Sequence, residues 1–372
     1  MATPVEPFPC IEISGPPRER GRSYGSQAKE RIHRSIAHYK AQAGRASFSD
    51  DDIAAIVHRY VPIVEKFSQD FVQEMHGIAE GADAKFEDIF LLNARTEVMK
   101  MAARKDLRKR LEESAPPDGC TSLTIMPEAS ADKRLIQAQN WDWKVECAES
   151  CIILRIRHEN GPTILTFTEA GMLARNGFNS AGISVVANGL ESDRDYCQIG
   201  IPLALIRRKL LQCDNIALAM HAVYTTPKSA SNNMIVSHID GVSIDFECAP
   251  NETFMLEPEN GMIVHSNHWL SPIALSKLKD TGVLVSPCSL YRHTRVRSLL
   301  APKVGSITTD DVKNALLDTF ASPWSVCRPP RQDVGRDTRS ATVSTVVMKP
   351  ELGVMEVAAM PALDPTFTTY TL

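Results

Sequence analysis

No stretch of this 372-residue chain approaches the ~20 consecutive apolar residues that cross a bilayer, so no transmembrane helix is expected. The start, Met-Ala-Thr-Pro-Val-Glu-Pro-Phe-Pro-Cys, lacks the basic end and apolar run of a secretory signal, which predicts a cytoplasmic protein. No block of one charge sign is present either. The 41 Lys and Arg against 45 Asp and Glu give a net charge of -4, spread along the chain, which offers no broad field to nucleic acid or a membrane surface. Paired Cys and His clusters are also missing. The nine Cys, an odd number without periodic spacing, exclude a disulfide framework and are expected to be reduced and mostly buried. Neither Cys147 with Cys151 nor His265 with His268 has the companions of a structural zinc site, so neither a metal nor a cofactor is expected. There is no internal repeat and no low-complexity segment.

What is present is 43% hydrophobic and 23% charged, enough for a large core in one big or two ordinary domains. Helical spacing runs from Pro17 to about Arg45 through Tyr24, Ala28, Ile32, Ile36 and Tyr39. Ser49-Asp50-Asp51-Asp52 reads as a capping region that opens a helix through Ile56, Val57, Tyr60, Val64 and Phe67, which Pro62 is expected to kink or split. Met75 to Leu92 and Arg95 to Arg110 complete a mostly helical first third. It ends in Ala115-Pro116-Pro117-Asp118-Gly119, a segment expected to be non-helical and exposed. After Cys120 the texture becomes short β-branched runs such as Ser122–Met126, Ile152–Ile156, Thr163–Phe167 and Ile183–Val186. Helical patterns return over Pro202–Leu211, Ile216–Val223, Tyr291–Leu300 and Asp310–Phe320, between further strands that end with Ala341–Met348 and Val354–Ala359. Helices in blocks around two antiparallel strand sets predict an α+β fold of stacked sheets under helical layers.

The changeover falls at Asp118-Gly119-Cys120-Thr121. A Cys after Gly at that place suits self-cleavage. The thiol of Cys120 can attack the Gly119 carbonyl, Gly presents no side chain to block it, and water opens the resulting thioester. The new N-terminal Cys then carries its own base, because an α-amine has an unperturbed pKa near 7.7 to 8.0. From these four residues alone, a buried strand Cys after a turn Gly is the favoured reading, because free Cys is commonly buried.

Gly25, Ala28, Gly77-Ile78-Ala79-Glu80-Gly81-Ala82, Leu92-Asn93-Ala94-Arg95-Thr96-Glu97, Asp118-Gly119-Cys120-Thr121, Gln139-Asn140-Trp141-Asp142, Thr168-Glu169-Ala170-Gly171, Gly177 to Gly182, His265-Ser266-Asn267-His268 and Arg339-Ser340-Ala341-Thr342 occur in this order. Together they resemble the acyl-coenzyme A:6-aminopenicillanic acid acyltransferase family, from about Gly21 to about Thr345. The resemblance implies a four-layer αββα N-terminal nucleophile hydrolase sandwich. It also implies an α chain of residues 1–119 and a β chain of residues 120–372, held together as one domain after cleavage between Gly119 and Cys120. It makes Cys120 the nucleophile and Asp142 the residue that orients the new amine. Asn267 becomes an oxyanion donor, and Arg339 the cation beside the thiolate. Asn179 and Thr338 are further candidates for oxyanion or substrate contact.

Two departures matter. Ala249 stands before Pro250 where fungal penicillin-forming enzymes have Ser, and the ending Tyr370-Thr371-Leu372 is no peroxisomal address. The expected activity is cleavage of a small N-acyl amide through a Cys120 acyl-enzyme. The alternatives are acyl transfer from a coenzyme A thioester or amide to an amine, and a non-catalytic binding scaffold. The expected partners are a small N-acyl substrate and the protein's own cleaved fragment, with neither nucleic acid nor membrane, and with any higher oligomer left open.

Overall fold

The computed structural model describes residues 5–45, 48–98, 119–333 and 338–372. An N-terminal strand β1 (Cys10–Ser14) precedes helices α1 (Pro17–Gln27), α2 (Lys29–Arg45), α3 (Asp50–Phe67), α4 (Gln69–Ala82) and α5 (Phe86–Asn93). The β-branched runs then form β2 (Gly119–Ile125), β3 (Ile136–Lys144), β4 (Cys151–Arg157), β5 (Ile164–Glu169), β6 (Asn176–Asn179) and β7 (Ile183–Gly189). Helices α6 (Leu203–Leu211) and α7 (Ile216–Thr225) separate these from β8 (Asn232–His238), β9 (Val242–Ala249), β10 (Glu252–Leu256) and β11 (Met262–His265). Short helices α8 (Pro272–Leu275) and α9 (Gly282–Val285) lead to α10 (Cys288–Leu300) and α11 (Thr309–Leu316), and the chain closes with β12 (Arg331–Gln332), β13 (Arg339–Lys349), β14 (Val354–Ala359) and β15 (Thr368–Thr371).

One sheet has the order β1-β4-β5-β6-β7-β8-β9-β10; the other is β11-β2-β3-β13-β14-β15, with β12 paired to β13. The N-terminal helices, α6 and α7 pack their apolar stripes with the first sheet in one core, while Val296, Leu300, Val312 and Leu316 of α10 and α11 cover Leu123, Ile125 and Ala138 on the outside of the second. Helix, sheet, sheet, helix is the expected αββα sandwich. Strands such as β2 are therefore buried on both faces. Between the sheets the contacts are partly polar. Gln137 Nε2 donates to Ser237 Oγ at 2.9 Å and Ser122 Oγ to Asn188 Oδ1 at 2.7 Å, so buried polar groups on one sheet are satisfied by the other.

Several local expectations change. The helical pattern from Pro17 divides at Ala28, β1 was not anticipated, and α3 runs unbroken through Pro62. Pro62 lies on the exposed face of α3, as does His58, so water can take the carbonyl that Pro leaves without a donor. Residues 115–118 lie outside the described set, but Gly119 is buried in strand, not exposed as expected. The Ser49–Asp52 capping box forms as read.

Two of the glycine motifs have a packing reason. A Cβ on Gly21 would overlap the Glu74 carbonyl, and one on Gly77 would overlap the Arg18 carbonyl, so α1 and α4 touch backbone to backbone. The N-terminal third is also tied to the rest by buried polar contacts. Glu74 Oε2 on α4 accepts from Arg20 at 2.6 Å and from Arg208 of α6 at 3.1 Å, and Tyr24 Oη donates to the Met172 carbonyl at 3.0 Å.

A charged clamp also joins the sheets. His265 Nε2 on β11 lies 2.8 Å from Glu247 Oε1 on β9, with Asp245 Oδ2 at 3.8 Å, all fully buried. Burial works against the imidazolium, but Asp245 and Glu247 outweigh it and raise His265 to about 9. The native state therefore holds a proton that the unfolded state releases above about pH 6.5, so the clamp acts fully below that pH and is lost as pH rises through about 9. The unfolding free energy from urea titrations should fall across this window by on the order of 3 kcal/mol, and His265→Gln should flatten that slope. An unchanged slope in the variant would remove His265 as the cause.

Candidate active site

The register of β2 places the site. Gly119 pairs with Asp142 and Cys120 with Trp141 on β3, while on the other side Ser122 pairs with His265 of β11. Carrying that antiparallel register two residues on brings Asn267 beside Cys120. Since side chains alternate along a strand, Cys120 shares the inner face with Ser122, toward the other sheet. Gly119, Thr121 and Asp142 share the outer face beneath α10. Cys120 is buried, at 2% exposure.

Asn267 and α10 hold the Cys120 backbone. The Cys120 N–H donates to Asn267 Oδ1 at 2.8 Å, and Arg292 Nη2 donates to the same oxygen at 2.8 Å. Arg292 Nη1 donates to the Cys120 carbonyl and, at 2.8 Å, to Thr121 Oγ1. Asn267 Nδ2 donates to the Gly189 carbonyl at 2.9 Å. The amide of Asn267 is thus an acceptor toward the Cys120 nitrogen, and the oxyanion-donor role expected of it is not the one this geometry provides. On the thiol's face, Trp141 Nε1 and the amide of Asn188 are side-chain donors left open. Asn188 Oδ1 accepts from Ser122, and its buried Nδ2 has no partner among the described residues.

On the outer face Asp142 Oδ1 accepts from Thr342 Oγ1 at 2.6 Å, and Asp142 Oδ2 lies 3.2 Å from Arg328 Nε. All three side chains are buried. A Cβ on Gly119 would collide with the Asp142 carboxylate and the Arg328 guanidinium, so only Gly fits here. Arg328 Nη2 also donates to Cys288 Sγ at 3.1 Å. Burial pushes that thiol up, but Arg328 and Arg292 outweigh it and hold Cys288 below its usual value. A narrow cleft, with room for about one water, opens beside the junction, lined by Gly119, Asp142, Lys144, Arg328, Arg331 and Ser340 among others.

The expected residues therefore divide. Gly119, Cys120, Asp142 and Asn267 come together. Arg339 does not: its side chain is exposed at the start of β13, opposite Gln332, and the cation at Asp142 is Arg328. The matching motif contributes Thr342 instead. Asn179 is occupied elsewhere, with Nδ2 donating to the Leu211 and Cys213 carbonyls at 2.9 and 2.7 Å and Oδ1 accepting from Ala181 and Ile183, so it closes the C-terminal end of α6. Thr338 Oγ1 donates to Asp333 Oδ2 at 2.6 Å within the Lys144 network at the cleft rim. Arg292, Arg328 and Asn188 were missed because an Arg in a helix, an Arg before Pro-Pro and an Asn-Gly pair carry no chemical signature alone. Among the described residues, no group of three His, Cys, Asp or Glu could hold a metal ion, and no helix is long and apolar enough to cross a membrane.

Two facing sheets between helical layers, with a buried Gly-Cys pair opening an inner strand, define an N-terminal nucleophile hydrolase fold. The family model for acyl-coenzyme A:6-aminopenicillanic acid acyl-transferase matches residues 129–359, and the chain belongs to that family. Membership makes it an enzyme of the acyltransferase and amidohydrolase class. The chain is 27% identical over 328 residues to the acyl-coenzyme A:6-aminopenicillanic-acid-acyltransferase 40 kDa form of Emericella nidulans, covering 88% of this chain and 86% of that protein. Similar solved structures include a mutant conjugated bile acid hydrolase of Clostridium perfringens (12% identity, TM-score 0.46, 68% of this chain and 92% of that one). Another is the Caenorhabditis elegans N-acylethanolamine-hydrolyzing acid amidase ortholog (14%, TM-score 0.42, 68% and 100%).

Arg328→Leu strands a buried carboxylate and should cost roughly 3 kcal/mol, whereas Arg339→Ala should change stability by no more than about 0.5 kcal/mol and leave activity near normal. Urea unfolding and turnover check both. Equal losses would return Arg339 to the site.

Proposed function

We propose that this chain cuts itself between Gly119 and Cys120 and that the product hydrolyses a small N-acyl amide through a Cys120 acyl-enzyme. The observation that carries this reading is the junction itself: a buried Gly-Cys peptide at the start of an inner strand, with Asn267 on the Cys120 nitrogen, Arg292 on its carbonyl, and Asp142 and Arg328 against a residue that can only be Gly. In processing, the Cys120 sulfur adds to the Gly119 carbonyl carbon, the C–N bond breaks as the Cys120 nitrogen takes a proton, and water cleaves the thioester. The products are the Gly119 carboxylate and a new α-amine. That amine sits between Asn267 Oδ1 and Asp142, where two acceptors can orient it.

In turnover the α-amine accepts the thiol proton, and the thiolate adds to the substrate carbonyl. The amine leaving group departs with that proton, and water releases the acid and regenerates the thiol. Asn188 Nδ2, open on the thiol's face, is the side-chain donor for the oxyanion in this scheme. Acyl transfer is the second reading. It is favoured by the acyltransferase name of the Emericella nidulans relative, and it differs only in the acceptor of the acyl group.

Intact mass should show fragments 1–119 and 120–372 for the wild type and one chain for Cys120→Ala. The fragments should co-elute, because the apolar stripes of α2 to α5 would otherwise face water, at about 25 cal/mol per Å² of apolar area. Glu74→Ala should weaken that association. A wild-type chain still whole after long incubation would end the processing reading. Asn188→Ala, once cut and folded, should lose about 10² to 10³ in turnover, the scale of one lost oxyanion donor. Product analysis with 6-aminopenicillanate present as acceptor separates the two readings, as its N-acyl product reports transfer and free acid alone reports hydrolysis.

A further inference from the structure

The inner face around Cys120 holds more positive charge than the chain neutralises. Arg95 Nη2 and Arg175 Nη1 share one carboxylate oxygen, Glu169 Oε2, at 3.2 and 3.7 Å, and Tyr39 Oη donates to the other oxygen at 2.5 Å. Arg207 on α6 has no such acid. It is 8% exposed, its Nε has no hydrogen-bond partner, and no carboxylate among the described residues lies within ion-pair distance. The acid that faces it, Glu97, accepts from the Leu203 N–H at 2.9 Å, and burial raises its carboxyl toward the neutral form.

Arg175 and Asn176 belong to the thiol's side of the sheet, and Arg207 stands on α6, which packs against β6 and β7. Arg175 Cζ lies 3.9 Å from the ring centre of Trp141, the cross-strand neighbour of Cys120. Phe167 packs on the same ring at 5.8 Å and pairs across β5 and β6 with Asn176, which shares its face. Asn176 is fully buried, and neither its Oδ1 nor its Nδ2 has a partner. Burial, then Arg175, pulls the Arg207 guanidinium down to about 9, while the nearby Cys120 and Glu97 act the other way. A buried cation without a counter-charge is costly, and so is an amide without hydrogen bonds. One ligand chemistry relieves both.

We propose that Arg207, with Arg175 and Asn176, forms a subsite for a carboxylate on the substrate, so that the N-acyl compound is an anion. The guanidinium fork of Arg207 and the Asn176 amide would supply convergent donors to its two oxygens. The carboxylate can belong to the amine half, as in an N-acyl amino acid, or to the acyl half, as in the monoamide of a dicarboxylic acid. This inference takes Cys120 as nucleophile from the preceding reading.

The test compares iodoacetate with iodoacetamide as alkylating agents for Cys120, read by peptide mass, with glutathione as the reference thiol. Cys120 should favour the anionic reagent about tenfold or more relative to glutathione, as expected of a charge-assisted hydrogen bond. Arg207→Met should abolish that preference, Arg207→Lys should keep part of it, and Arg175→Gln should reduce it. In the wild type alone, hexanoate should protect Cys120 from iodoacetamide better than hexanamide does, so the inference stands or falls even if a variant misfolds. A Cys120 with the glutathione ratio and no selective protection overturns it. The ratio is readable on cut and uncut chains alike, so loss of the processing reading is seen separately, by intact mass. For the two sources, kcat/KM for an N-acyl amino acid, its carboxamide and a dicarboxylic monoamide shows which half carries the charge, and equal values for all three overturn the subsite.

Discussion

The hydrogen-bond register of β2 between β3 and β11 is the constraint on which the site depends. It sets Gly119 opposite Asp142 and Cys120 opposite Trp141, and it brings Asn267 to the Cys120 nitrogen. A slip of one residue would turn the thiol to the outer face and send Thr121 inward. The register is held by burial on both sides. Leu123 and Ile125 fill the core under α10 and α11, while Ser122 and Thr124 meet polar partners on the other sheet, so neither set can exchange places without stranding polar atoms or exposing apolar ones.

Alternation along the same strand divides the proposed chemistry between two faces. The outer face carries Asp142, Arg328 and Thr342 around the Gly119 backbone, next to the bond of the proposed cut. The inner face carries the thiol, Asn188 and the cluster of Arg175 and Arg207, where a substrate would meet the nucleophile. A single residue step thus separates the groups that hold the Gly119 backbone from the thiol, which in the proposed processing reaches the Gly119 carbonyl from the inner face. The Cys120 nitrogen is common to both, first as the peptide bond and then, in the proposed product, as the base.

Much of the fold was legible because its signals are local. Strands β4, β5, β7, β13 and β14 and helices α6, α7, α10 and α11 follow from β-branched runs and helical spacing, and the Ser49 cap from one hydroxyl beside acids. β1 and β6 were not legible, being short and defined by the strands they pair with. Pro62 misled, because its effect depends on whether water reaches His58, and that is decided by packing. In the site, Cys120, Asp142 and Asn267 stood in recognisable motifs. Arg339 did too, yet it lies exposed while Thr342, three residues on, meets Asp142.

By itself the sequence determined the order of helices and strands, the family, the Gly-Cys junction and the residues able to act there, since these rest on residue type and short spacing. Only the tertiary structure decided which arginines matter. Arg292 and Arg328 lie 172 and 40 residues from the partners they meet in Cys120 and Cys288, Arg175 reaches Trp141 from the β5–β6 turn, and Arg207 is carried in on α6 against β6 and β7. The physical reason is that a charge takes its meaning from what surrounds it. An Arg on a helix reads the same in sequence whether water solvates it, a carboxylate pairs it, or, as at Arg207, the fold buries it with neither.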